Sequence, residues 1–170
     1  MNKKGFAKIW TFLIIALSIA MIALLGTYLI TGVNKSVNTN SRIQMITNLQ
    51  ASVDEMLMQN YGTNEKITLI VPNDVKKLCF IDFEKETLYL PSTVDQYEQK
   101  MQSIATTLLL EYNEGNIDYP ENLYLFTKGD FELYKLKKIT VETGGGIYCI
   151  NAKTKLDLTL TSKGKTVLIK

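Results

Sequence analysis

The run Ile9–Thr31, IWTFLIIALSIAMIALLGTYLIT, carries no charged residue and constrains the chain more than any other stretch. As a helix it would rise about 34 Å at about 1.5 Å per residue, matching a hydrocarbon core of about 30 Å with some tilt. Lys3, Lys4 and Lys8 precede or open it, and the first charge after it is Lys35. That bias predicts a single-pass anchor at about 9–31 in the cell membrane, with membrane lipid as a partner. The N-terminus is then cytoplasmic and the remainder extracytoplasmic. The run is longer than a secretory h-region of about 7–15 residues, and no small-residue cleavage site follows it before Asn34, so the helix is expected to be retained.

About 137 residues follow, enough for one domain with a real core. The formal charge is +2, and eighteen of the nineteen basic residues are lysines interleaved with acidic ones. Such a pattern reads as a solvated surface, and no nucleic-acid partner is expected. Histidine is absent, which removes the commonest general base and metal ligand and every Ser–His–Asp or Cys–His arrangement. No catalytic residue, metal or cofactor is expected, and the chain reads as a non-enzyme. Gly164-Lys165-Thr166 resembles the end of a phosphate loop, but the glycine needed five positions earlier is Thr159, within a strand-turn-strand pattern. Asp82, Glu84 and Glu86 lack calcium-loop spacing. Asn34-Lys35-Ser36 is a formal glycosylation sequon.

Val33–Tyr61 has no proline, its only glycines flank it at Gly32 and Gly62, and Ile46, Leu49, Val53 and Met56 recur at spacings of three and four. This predicts an amphipathic helix continuing the apolar one and stopping at Gly62, its stripe packed under the protein's own head. The pattern then turns strand-like. KITLIV ends at Pro72, while KLCFIDF and TLYL flank a turn at Glu84–Glu86. A second helix is expected from Ser92, with Val94, Tyr97, Met101, Ile104 and Leu108 on one face and a stop at Asn113–Asn116. Short strands follow: NLYLFT and FELYKL about a KGD turn, ITVE, IYCI after a flexible hairpin at Gly144–Gly146, LDLTL, and TVLIK after SKGK. Alternation of Leu156, Leu158 and Leu160 with polar residues marks a half-buried strand. The fold expected is α+β: a long N-terminal helix, half membrane-spanning and half amphipathic, over residues 6–61. It packs on an antiparallel β-rich head, 62–170, that contains one further helix.

Cys79 and Cys149 lie in apolar strand-like surroundings, on the side predicted to be oxidising. They are candidates for a disulfide, the alternative being two independent buried thiols.

The junction MNKKG-FAKIW, a short basic leader ending in Gly5 before Phe6 and a long apolar run, resembles the class III signal of type IV prepilins and pilin-like proteins. The resemblance implies cleavage between Gly5 and Phe6 by a prepilin-type peptidase, removing residues 1–5. It also implies assembly of the helices with other pilin-like subunits into a cell-surface filament or pseudopilus. Bacterial members usually carry Glu at the fifth mature position; here that position is Trp10, and Lys8 adds a charge. Ala16 and Ala20, then Ala23 and Thr27, are four apart with Gly26 nearby, small residues that allow helices to approach closely. The assembly helix would thus use Ala16, Ala20, Ala23 and Gly26, and farther on Ile46, Leu49, Val53 and Met56. The alternative is a single-pass envelope protein whose extracytoplasmic head is a binding module and which never assembles.

Overall fold

A computed structural model describes the backbone of residues 3–89, 96–127 and 130–170, and the side chains of 13–27, 37–89, 98–127 and 130–170. The chain divides into two compact units, Met1–Asn40 and Ser41–Lys170. Helix α1 is assigned Lys3–Met58 and is shared between them.

The membrane anchor is corrected. Among the described residues no helix is long and apolar enough to cross a membrane. The apolar side chains described on α1 occupy 13–27, a rise of about 22 Å against a hydrocarbon core of about 30 Å. The expected fold, one helix with a membrane-spanning half on an antiparallel head, therefore does not stand, nor does the single-pass localisation with a cytoplasmic N-terminus. Gly5, Phe6, Lys8, Trp10 and Asn34 lie outside the residues whose side chains are described.

The second unit contains two four-stranded sheets. One has the order β1 (Asn64–Ile70), β7 (Lys155–Ser162), β8 (Val167–Ile169), β5 (Ile139–Val141). The other runs β4 (Phe131–Tyr134), β3 (Leu123–Phe126), β2 (Lys77–Ile81), β6 (Ile147–Asn151). Helix α2 is Gln96–Asn113. The head is not wholly antiparallel, because β5 and β8 pair in parallel. Between them the chain crosses to the other sheet as β6 and returns through β7, so β8 arrives beside β5 in the same direction.

Burial explains the two kinds of strand. In β7, Leu156, Leu158 and Leu160 are buried while Asp157 faces water, as the alternation predicts. In β2 and β3 nearly every residue is buried, because that sheet is covered on both faces. Leu78, Phe80, Leu123 and Leu125 join one core with Met45, Leu49, Val53 and Met56 of α1. Cys79, Ile81, Tyr124 and Phe126 join a second core with Met101, Ala105 and Leu109 of α2. Two-sided covering requires continuous apolar runs, and LCFI and LYLF supply them.

Local expectations differ in three places. The buried line of α1 starts at Met45; Ile46, about 100° round the helix, is only partly buried. The buried face of α2 is Met101–Ala105–Leu109, with Ile104 and Leu108 at its flank; Ser92, Val94 and the Tyr97 side chain are outside the described residues. The described residues of TLYL, Thr87–Tyr89, form no strand: Tyr89 makes a single parallel bridge to Gly146.

That bridge replaces the hairpin expected at Gly144–Gly146, since β5 and β6 belong to different sheets. The Tyr89 amide donates to the Gly145 carbonyl at 3.0 Å. A Cβ on Gly145 would overlap the Tyr89 carbonyl oxygen, whereas one on Gly144 would meet only the Tyr89 hydroxyl at 3.5 Å. Gly145→Ala is expected to lower stability by about 1–3 kcal/mol, as overpacking does, and Gly144→Ala much less. Urea unfolding of the two variants checks this; equal losses would contradict the close approach.

Candidate functional site

Three regions carry features beyond packing. The first is the apolar stretch of α1 in the Met1–Asn40 unit. Alanine, leucine and methionine favour the helix, and together with isoleucine they make it hydrophobic on all sides. The Ser18 and Thr27 hydroxyls donate back to the Ile14 and Leu24 carbonyls at 2.8 and 2.9 Å, so neither demands a polar neighbour. Nine large apolar side chains, from Leu13 to Leu25, are between 53% and 71% exposed. Ala16, Ala20 and Ala23 fall on one line of this surface, while Gly26 is displaced from it and has nothing within 4 Å of where a Cβ would stand. Leu49, Val53 and Met56, expected alongside them as assembly residues, are fully buried within the Ser41–Lys170 unit, and Ile46 is partly buried there. Leu49, Val53 and Met56 pack under their own head and leave no side-chain surface for a neighbour.

The second region is the polar fringe of the head. Arg42, the one arginine in the sequence, forms ion pairs with Asp74 at 3.5 Å and with Glu132. The Tyr134 hydroxyl donates to the other oxygen of Glu132 at 2.7 Å. A planar guanidinium with several fixed donors suits this two-carboxylate arrangement better than an ammonium would. Across the other face, Lys77 of β2 pairs with Glu98 of α2. Asp82 is buried at the end of β2 and accepts from the Glu84 amide at 3.1 Å and the Val141 amide at 3.4 Å. Burial raises its pKa, opposed by those two hydrogen bonds. These are fastening roles: each ties one element to another.

Cys79 and Cys149 are directly opposite in the β2–β6 ladder and form a disulfide, the first of the two alternatives above. Among the described residues no group of three or more Cys, Asp and Glu side chains is placed to hold a metal. Gly164 has φ of 81° in the turn between β7 and β8, where Lys163 and Thr166 close a backbone hydrogen bond, so Gly164-Lys165-Thr166 is a strand-turn-strand.

A cleft at the end of β4 was not anticipated from the sequence. Lys135, Lys137 and Lys138 converge there with Lys165 over Leu57, Leu136 and Tyr119. Lysines spaced by one and two residues, and one from thirty positions away, have no local signature that separates them from solvated charges. Burial pushes the Tyr119 phenol from 10.0 up to about 12, and burial followed by the Glu132 hydrogen bond does the same for Tyr134. Both phenols hold their protons more tightly folded than unfolded. Their contribution to stability is therefore full below pH 10 and is lost as the pH rises towards about 12. The urea midpoint is expected to fall over that interval, and less steeply in Tyr119→Phe.

Against known proteins, no family model matches the chain, and neither a curated protein nor a solved structure is significantly similar to it.

Proposed function

We propose that this chain is a pilin-like structural subunit that associates laterally through the apolar stretch Leu13–Leu25, with the Ser41–Lys170 unit as its displayed head. One observation carries the reading: nine large apolar side chains on successive turns stand more than half exposed. Apolar surface on that scale is unfavourable in water and marks a contact site. Identical helices are a suitable cover, since ridges of Leu and Ile pack into the grooves that Ala16, Ala20 and Ala23 leave. The Gly5–Phe6 junction supports the same reading, because trimming there would expose a new N-terminus next to the apolar stretch. The work is mechanical and involves no turnover.

The test is co-expression of the full chain with a prepilin-type peptidase, mass spectrometry of the N-terminus and electron microscopy of the product. A mature chain beginning at Phe6 and filaments of uniform diameter are expected. Retention of Met1–Gly5, or amorphous material alone, would overturn the proposal. Leu17→Asp is expected to be processed normally and to abolish filaments, because it places a carboxylate on the associating surface.

A further inference from the structure

Among the described residues, the head has a cleft that combines an apolar wall with a lysine rim. It has a volume of about 620 Å³, within the range of small-molecule sites. Leu57 of α1, the buried Leu136 and the ring of Tyr119 form its apolar wall. Tyr119 is fixed edge-on against Phe83 and Tyr112, with centroids 6.2 and 5.7 Å away, so that wall is rigid.

Its rim is basic. Lys137 is committed to Asp54 at 3.1 Å, and Gln50 donates to the same carboxylate at 2.8 Å. Lys138 is committed to Glu84 at 2.9 Å and lies 5.8 Å from the Tyr119 ring centroid. Lys135 and Lys165 are exposed and form no ion pair among the described residues. Two carboxylates thus balance two of four ammonium groups, leaving the cleft with two positive charges in excess.

We propose that this cleft binds a small organic carboxylate with an apolar body, the carboxylate held by Lys135 and Lys165 and the body resting on Leu57, Leu136 and Tyr119. Charge excess selects an anion, and the apolar wall selects against inorganic ones, which have no surface to bury there. Long lysine side chains suit the rim because their methylene stems extend the wall while the ammonium groups stay in water. The site lies wholly in the Ser41–Lys170 unit and does not depend on lateral association.

Decanoate is a suitable probe, with decanol, decylammonium and inorganic phosphate as comparisons, on the full disulfide-bonded chain. Binding is read from the NMR resonances of the Tyr119 ring and the Leu136 methyls, so that ligand adsorbed on Leu13–Leu25 is not counted. Decanoate is expected to bind with a dissociation constant below about 1 mM. Decanol should bind at least ten-fold more weakly, and decylammonium and phosphate should leave these resonances unmoved. Lys135→Glu/Lys165→Glu should weaken decanoate at least ten-fold. Lys165→Gln alone, on an exposed turn where folding is not at stake, should weaken it about three-fold. Equal binding of decanoate and decanol, a phosphate response equal to that of decanoate, or no response to decanoate would each overturn the proposal.

Discussion

Replacing Leu49 by aspartate is expected to abolish the cooperative unfolding transition of the Ser41–Lys170 unit. Leu49 is fully buried on α1, between Met45 and Val53, in the core that includes residues from both sheets. An aspartate there either stays ionised without a partner or takes up a proton, and both routes cost several kcal/mol. The leucine's own burial and packing are lost as well, about 2–5 kcal/mol for truncation alone. A domain of this size has about 5–15 kcal/mol in total, so the sum consumes most or all of it. Far-UV circular dichroism against urea would show a sloping baseline with no sigmoid. Leu17→Asp should leave the head's transition unchanged, because Leu17 is 62% exposed and belongs to the other unit. A cooperative transition in Leu49→Asp would mean that α1 is dispensable to the head's core.

The second large effect is expected from the disulfide. Reduction, or Cys79→Ser with Cys149→Ser, should destabilise the head by about 4 kcal/mol, since the bridge closes a loop with a sequence separation of 70. For a unit of this size the melting temperature should fall by on the order of 15 °C. The two serines would also place hydroxyls beside Ile81, Tyr124 and Ile147, in the core shared with α2. The serine variant should therefore melt below the reduced wild type. Calorimetry with and without reductant measures both differences, and a head indifferent to reductant would contradict the stabilising role.

How far these features were legible depended on whether the signal was local. Alternation in LDLTL identified β7, and the NLYLFT–KGD–FELYKL spacing identified the β3–β4 hairpin, because both patterns are complete within a dozen residues. The line through Leu49, Val53 and Met56 is equally local, and their burial follows from it. The paired cysteines were visible as candidates, but their facing positions required the β2–β6 register. Sheet membership was not visible. Nothing in ITVE or IYCI shows that consecutive strands enter different sheets, so Gly144–Gly146 read as a hairpin when its glycines in fact admit the Tyr89 backbone. The apolar run suggested a bilayer because composition reports that a surface must be covered without reporting by what. The lysine-rimmed cleft was the least legible feature, since it is assembled from α1, the segment after β4 and the β7–β8 turn.

The pairing of β1 with β7 has a consequence for synthesis. Asn64 faces Thr161 and Ile70 faces Lys155, so β1 leaves the ribosome long before β7, its neighbour among the described strands, exists. During that interval Ile67 and Leu69 have no sheet to enter, and the adjoining stripe of α1 lacks the cover of Leu156, Leu158 and Leu160. The nascent head is thus obliged to wait, its earliest strand unpaired, until β7 arrives. A pause in translation between these strands would prolong a state open to pairing with other chains, and a holding chaperone would act most usefully then.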